Sequence, residues 1–307
     1  MRLLFLLLLL LPVSAVSGAP AATVEAVRPP AWVKNQGSWI PMPPDLELNP
    51  GDHIRTGPGG RVLLRLAEGS ELRLGEAASF VLLKLDPPAT VDGPFTGLLR
   101  LVRGALRFTT TLLSRPHRRS LDIQVATVNA GISGTDVWAK AAPDRDIVCL
   151  IEGRIIASRA NSQPAILDEP LSFYVAPKDA PPKPVSAVTP AQLKKWIAQV
   201  ALEAGTGIIA DGRWTVALGS YRIEERANRA LEAVHAAGIP ASIIVVTVEG
   251  ELWRRLVVSG FSNRSEAMSF VDRTRDLMGV VGAWAYDQCQ QGRDSKTAPG
   301  VCQDSLQ

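Results

Sequence analysis

The sequence has few of the side chains that form metal centres and nucleophilic active sites. Its 307 residues include only three histidines and three cysteines. His53, His117 and His235 are far apart in the chain, and none has the spacing of a metal-ligand motif. No carboxylate is singled out by its neighbours as a general acid. We therefore expect a non-enzymatic protein without catalytic residues, a metal or another cofactor.

The sequence also lacks an excess of charge of one sign. It has 33 Lys and Arg against 30 Asp and Glu, a net charge of +3, and the two signs are interspersed. A nucleic-acid-binding protein would present a strongly basic patch or stretch. The one basic cluster, residues 115–119, is interpreted as a solvated loop, with a contact to anionic cell-wall polymer as the alternative. Nucleic acid is therefore not expected as a partner.

Long apolar runs are missing beyond the N-terminus. Residues 3–11 are apolar and follow Arg2, but this run is too short to span a bilayer comfortably. An Ala-Pro-Ala step that ends at Ala21 fits a signal-peptidase site. The sequence predicts a cleaved signal peptide over residues 1–21 and export to the periplasm without a stable membrane anchor. An uncleaved N-terminal anchor is the alternative.

Residues 24–175 have the pattern of an all-β domain. Apolar and polar side chains alternate in Arg61–Leu66 and in Glu71–Leu74, as they do in strands with one solvated face. Turn signals rich in Gly, Pro, Asn and Asp separate the strands at regular intervals, and no helical pattern lies between them. The pattern is compatible with a sandwich, a barrel or a short β-solenoid.

A change of composition follows the β domain. Residues 176–189 are rich in proline, which favours extended chain, and we interpret them as a semi-rigid linker. Thr189 is a good N-cap and Pro190 suits the first helical position, so an amphipathic helix is predicted over 190–205. We expect its apolar stripe to pack on a neighbouring domain, with a membrane surface as the alternative. The stripe consists of Leu193, Trp196, Ile197, Val200 and Ala201.

Residues 211–287 have the pattern of a small α+β domain. Strand-like runs at 214–220, 242–248 and 252–258 alternate with two helical stripes, and a last short strand follows. The predicted element order, β-α-β-β-α-β, is that of a ferredoxin-like fold. A four-stranded sheet with both helices on one face leaves the other face open for binding. Residues 288–307 are predicted to form a flexible tail.

The motifs of this domain resemble those of a SPOR domain, the bacterial module that binds the glycan strands of peptidoglycan. The Gly-Ser-aromatic step of that family is matched by Gly219, Ser220 and Tyr221, and its third-strand Arg and following Phe are matched by Arg255 and Phe261. The resemblance implies peptidoglycan glycan strands as the partner. The candidate glycan-binding residues are Trp214, Ser220, Tyr221 and Arg255.

The chain departs from the SPOR pattern at two places. Ala217 stands where the family often has Gln, which removes an amide that could hydrogen bond a sugar. Ser259 and Gly260 stand where the family often has Gly-Pro, and this change preserves a tight turn. We expect the loss of the amide at position 217 to reduce glycan affinity or to redirect it to another ligand. The change at 259–260 should have little effect on binding.

The β domain has a resemblance of its own. The segments 48–57, 64–72, 104–108, 125–137 and 151–153 resemble the FecR domain, the periplasmic part of iron-siderophore signalling regulators. The Gly-Thr-Asp step at 134–136 is its most specific element, and we expect it to stabilise a turn rather than to catalyse a reaction. A signal peptide in place of the transmembrane helix of such regulators disfavours transmembrane signalling.

Together these features predict a periplasmic envelope protein. Its SPOR-like domain would bind glycan strands, for example at cell-division sites, and its FecR-like domain would be an interaction platform for an envelope protein partner. One alternative is a periplasmic sensor or regulator of FecR type that contacts an outer-membrane receptor. Another is a structural envelope protein without a ligand.

We predict a disulfide bond between Cys289 and Cys302, because both lie in a polar tail that would be exported to an oxidising compartment. Closing this short loop should stabilise an ordered tail by about 2–3 kcal/mol. Mass spectrometry of non-reduced peptides should find the two cysteines linked. Two alkylatable thiols in the tail would contradict the pairing.

Cys149 lies in an apolar run and is expected to be a buried, inert thiol.

Overall fold

The computed structural model describes residues 20–86, 95–110, 119–132, 134–280 and 282–288. Over these residues the protein is mostly β, with three helices. The predicted signal peptide lies outside the described residues up to position 19, and so do both cysteines of the predicted disulfide and most of the basic cluster at 115–119. No helix in the described part of the chain is long and apolar enough to cross a membrane.

The N-terminal domain is built almost entirely of strands. They are β1 (Ala22–Arg28), β2 (Ala31–Asn35), β3 (Ser38–Pro41), β4 (Glu47–Leu48), β5 (His53–Thr56), β6 (Arg61–Leu66), β7 (Glu71–Leu74), β8 (Ser79–Asp86), β9 (Phe95–Thr109), β10 (Arg119–Val125), β11 (Val128–Ile132), β12 (Asp136–Ala141), β13 (Arg145–Glu152), β14 (Ile155–Arg159), β15 (Ala165–Leu167), β16 (Ser172–Pro177) and β17 (Ser186–Ala187). The prediction of a β-rich N-terminal domain is confirmed.

Strand β9 belongs to two sheets. Its second part pairs with β7 and β12, in a first sheet ordered β4-β1-β6-β7-β9-β12-β13-β16-β17. Its first part pairs with β8 and β10, in a second sheet ordered β3-β2-β5-β8-β9-β10-β11-β14-β15. Gly104, with φ +93°, lies between the two parts, where a Cβ would be 2.6 Å from Ala78 Cα. Glycine is therefore required where β9 passes from one sheet to the other.

The two sheets enclose one core, which is the arrangement of a sandwich. Leu99 and Leu101 from the second sheet and Leu106 and Phe108 from the first belong to the same buried cluster. The alternation read from the sequence therefore reports the side of each strand that faces the opposite sheet. Cys149 is fully buried, and burial raises the pKa of its thiol to about 12, so this thiol is not reactive at neutral pH.

The proline-rich segment is not a free spacer. Strand β17 lies within it and pairs with β16, and the Lys183 amide donates to the Val175 carbonyl at 2.9 Å. The segment therefore runs along an edge of the first sheet. Extended proline-containing chain fits there because an edge strand needs backbone donors on one side only. The composition of the segment is compatible with this position at a sheet edge, although the sequence analysis interpreted the segment as a semi-rigid linker.

Helix α1 (Pro190–Ala198) packs on the outer face of the first sheet, and it is shorter than the predicted 190–205. The Thr189 hydroxyl accepts a hydrogen bond from the Gln192 amide at 3.3 Å, as the capping motif indicated. The Trp196 ring stacks on the buried Trp138 ring, with 4.6 Å between centroids and 4° between planes. The helix thereby covers an apolar patch that would otherwise be exposed on the N-terminal domain.

The C-terminal domain contains β18 (Trp214–Tyr221), α2 (Glu224–Ala236), β19 (Ser242–Val248), β20 (Glu251–Phe261), α3 (Arg264–Met278) and β21 (Trp284–Asp287). Its four strands form an antiparallel sheet in the order β19-β20-β18-β21. Asn263 caps α3 by accepting from the Glu266 amide at 3.0 Å, and Gly279 ends it with φ +66°. Side chains of both helices share a core with one face of the sheet, including Val234 and Phe270.

The two domains are joined by backbone pairing as well as by the chain. Ile208 exchanges two backbone hydrogen bonds with Val27 of β1, at 3.0 and 2.8 Å, and also forms a bridge with Phe261 of β20. Arg28 pairs with Glu266 of α3 at 3.2 Å. The domains thus contact each other through the connecting segment and the helix layer of the C-terminal domain.

Replacing Trp196 by Ala should lower the free energy of unfolding by about 2–3 kcal/mol, because the change removes apolar burial and an aromatic stack. The exposed Lys194 on the same helix is the matched control, and Lys194→Ala should change stability by less than about 0.5 kcal/mol. Urea unfolding of the full chain measures both. Equal midpoints for the two variants would contradict the packing role of α1.

Candidate functional site

The C-terminal sheet has one face covered by helices and one open face. On β20, Leu256 and Val258 belong to the core shared with the helices, so Trp253 and Arg255 point to the opposite face. On β21, Ala285 packs against the same core, which directs its neighbours Trp284 and Tyr286 to the open face. The contacts with the N-terminal domain described above use the helix side. The open face is therefore not part of that domain interface.

An irregularity in β18 determines which of its residues reach the open face. Ala217 is opposite Val257, but Gly219 is opposite Leu256, so Leu218 is an extra residue in β18. This is a β-bulge, which reverses the direction of the following side chains relative to regular alternation. Beyond the bulge, Ser220 is opposite Arg255 and lies on the open face.

Arg255 is the centre of a group that we call the Arg255 cluster, formed by Ser220, Arg255, Trp284 and Tyr286. The Arg255 Nε–H donates to the Ser220 hydroxyl at 3.3 Å, and the guanidinium carbon lies 5.2 Å from the centroid of a Trp284 ring. None of the ion pairs between described residues includes Arg255. Its remaining donors are thus free of carboxylate partners in the described part of the chain.

Tyr286 adds a hydroxyl to this cluster. Burial raises the pKa of the Tyr286 phenol, while the charge and hydrogen bonding of Arg255 oppose that shift. The phenol therefore remains protonated at neutral pH and can donate a hydrogen bond. Together with the serine hydroxyl and the guanidinium, it supplies both donors and acceptors to a neutral polar ligand.

Two indole rings flank the polar groups. Trp284 is 41% exposed. Trp253 lies two residues before Arg255 on the same strand and is half-buried, with the Arg222 guanidinium carbon 4.8 Å from its ring centroid. Aromatic faces beside hydrogen-bonding groups suit sugar rings, which present apolar C–H faces and polar edges. The open face can therefore hold a carbohydrate by stacking and hydrogen bonding.

The structure brings together two of the four residues proposed from the sequence, Ser220 and Arg255. The other two, Trp214 and Tyr221, are half-buried and pack against the core shared with the helices. Trp214 lies on the same side of β18 as Val216 of that core, and the bulge turns Tyr221 to the helix side. The hypothesis that their rings stack on glycan is corrected accordingly.

Three residues of the open face were not identified from the sequence, namely Trp253, Trp284 and Tyr286. Alternation from Arg255 would have pointed to Trp253. The other two required knowledge that β21 pairs with β18, where Trp284 is opposite Ala217. Ala217 itself is fully buried in the floor of this face. The position that often carries Gln in the family is thus next to the Arg255 cluster.

The Gly-Thr-Asp step of the N-terminal domain makes structural contacts. Asp136 accepts hydrogen bonds from both Arg107 Nε, at 2.9 Å, and Arg107 Nη2, at 2.5 Å, across two paired strands. The hydrogen bond to Asp136 is the main cause of a raised Arg107 pKa. Gly134 has φ +92°.

Among the residues that the structure describes, no group of three or more His, Cys, Asp and Glu is placed to hold a metal ion.

Comparison with known proteins finds a family model that matches part of each domain. Residues 52–155 match the family model described as FecR protein, and residues 210–285 match the model of the SPOR domain. The comparison with curated proteins found no match.

Among solved structures, two crystal structures of a "putative anti-sigma factor" from Parabacteroides distasonis ATCC 8503 resemble the chain. They are 12% and 11% identical in sequence and have TM-scores of 0.38 and 0.39. Each covers 65% of this chain and 96% of its own.

Proposed function

We propose that this chain, a protein with a FecR domain followed by a SPOR domain, is a non-enzymatic periplasmic protein that binds the glycan strands of peptidoglycan. The observation that carries the proposal is the Arg255 cluster on the open face of the C-terminal sheet. The family match supports the choice of ligand, because SPOR domains bind peptidoglycan.

We infer a ferredoxin-like fold for the SPOR domain. The inference is supported by the element order β-α-β-β-α-β and by the strand order β19-β20-β18-β21. In this arrangement both crossover helices lie on one face, so the Arg255 cluster on the opposite face is left for a glycan strand.

Glycan strands without peptides are neutral, so ion pairing cannot supply most of the binding energy. Stacking of sugar rings on Trp253 and Trp284 would bury apolar surface from both partners. Arg255 would donate to hydroxyl or acetamido oxygens, since none of the ion pairs between described residues includes it. Ser220 and Tyr286 would complete the hydrogen bonds. Peptide-free glycan of the kind expected at division sites is the ligand we favour.

The FecR domain would act as an interaction platform for an envelope protein. A second candidate function, a periplasmic sensor or regulator, is favoured by the FecR match itself over residues 52–155. In that case the SPOR domain would tether the sensor to the cell wall. A neighbouring sigma-factor gene together with a TonB-dependent receptor gene would favour the sensor over the platform.

Arg255→Ala should weaken binding of the full chain to amidase-treated sacculi by about tenfold, because it removes the central donor of the open face. Arg254→Ala is the matched control. Arg254 is the adjacent residue on the same strand, points to the helix side and pairs with Glu224 at 2.7 Å. The control should bind as the parent protein does, and co-sedimentation with sacculi measures both.

Equal binding by the Arg255 variant and the parent would place the glycan surface elsewhere or argue against glycan binding. A loss of equal size in both arginine variants would indicate a general electrostatic effect rather than a site. The thermal midpoint of each variant checks that the domain remains folded, because Arg255 contributes no core packing.

A further inference from the structure

A second group of aromatic and cationic side chains lies on the N-terminal domain, on the outer face of the second sheet. Val33 of β2 and Ile54 of β5 point into the core, so their neighbours Trp32 and Arg55 point outward. Trp32 and Arg55 are directly opposite each other in the paired strands. Trp39 of β3 lies on the same outer face.

The Arg55 guanidinium lies over two indole rings. Its central carbon lies 3.8 Å from the centroid of a Trp39 ring and 5.2 Å from that of a Trp32 ring. Arginine favours such stacked positions because its guanidinium is planar and weakly hydrated. The Arg55 Nε is shielded from solvent, whereas its two terminal nitrogens are not among the buried atoms that lack a partner.

Other contacts fix both rings. The Trp32 Nε1–H donates to the Ala236 carbonyl at 3.3 Å, and the backbone of Gly238 packs so closely on the Trp32 ring that a Cβ there would be 2.5 Å away. The Trp39 ring makes an edge contact with His53 at 5.1 Å. The slot that holds Arg55 is therefore preorganised, and the C-terminal domain supplies one of its supports.

The charge of Arg55 is not balanced by a carboxylate in the part of the chain that the structure describes. None of the ion pairs or side-chain hydrogen bonds found there includes Arg55, and its Nε is shielded from solvent without a hydrogen-bond partner. Lys34 lies on the same face, opposite Trp39. Burial lowers the pKa of His53, and the charges of Lys34 and Arg55 lower it further. Partly buried charge normally has a partner, and none of the carboxylates that the structure describes is paired with Arg55, so we expect this group to take an anionic ligand.

We propose that Arg55, packed against Trp32 and Trp39, binds a carboxylate group of a peptide. A planar carboxylate can accept two parallel hydrogen bonds from the two terminal nitrogens of the Arg55 guanidinium. A tetrahedral phosphate fits a single stacked guanidinium less well, since phosphate sites usually combine several donors from different directions. The body of the peptide would lie against the outer indole edges.

The first experiment is a titration of the full chain followed by the indole N–H resonances of Trp32 and Trp39. The probes are N-acetyl-Ala-Ala and N-acetyl-Ala-Ala-amide, which differ only in the carboxylate, and inorganic phosphate. The free acid should shift both resonances saturably, whereas the amide and phosphate should bind at least about tenfold more weakly. Equal binding of acid and amide, binding of phosphate as tightly as the acid, or no saturable shift would overturn the proposal.

The second experiment compares two arginine variants with the same loss of charge. Arg55→Gln should weaken binding of the free acid by at least about tenfold. Arg55→Lys keeps the charge but loses the planar guanidinium, so its affinity for the free acid should lie between those of Arg55→Gln and the parent protein. Arg103→Gln is the control, because Arg103 is exposed and lies two strands away on β9, opposite the Ser79 that pairs with Arg55. Equal losses in Arg55→Gln and Arg103→Gln, or full binding by Arg55→Lys, would overturn the assignment.

Discussion

One extra residue in β18, Leu218, determines which side chains of the C-terminal sheet can reach a ligand. A strand has only two faces, and in this sheet one of them is occupied by helices. The bulge moves Ser220 to the open face beside Arg255 and turns Tyr221 under the helices. Without it, the positions of these two side chains would be exchanged. The composition of the Arg255 cluster depends on this local change of register.

The connection between the domains has a related consequence. The outer face of the first sheet carries the large apolar side chain of Trp138, which has to be covered, and α1 covers it with Trp196. The chain then pairs with β1 through Ile208 before it enters the C-terminal domain. The helix layer of that domain faces the N-terminal domain. As a result, the open face is left for a ligand, and the Arg55 slot lies at the border of the two domains.

Much of the fold could be predicted from the sequence because burial of one face of a strand or helix makes apolar residues recur at regular intervals. The alternation of apolar and polar residues over Arg61–Leu66 identified a strand, and the capping residue Thr189 marked where a helix begins. What these intervals could not show is pairing between strands far apart in the chain, which brings Trp284 beside Arg255. The bulge at Leu218 was also invisible, because Leu-Gly-Ser alternates as plausibly without it. The proline-rich segment was misinterpreted because composition reports extended backbone but not the sheet edge that it lies on.

The account depends most on the claim that ligands meet the open face of the C-terminal sheet. The most direct measurement is a titration of the full chain with a peptide-free glycan oligosaccharide, followed by the indole N–H resonances of its tryptophans. Trp253 and Trp284 should shift saturably, while Trp214, which packs on the helix side, should not. Saturable shifts of Trp214 without shifts of Trp284 would contradict the account, as would the absence of any shift at saturating glycan.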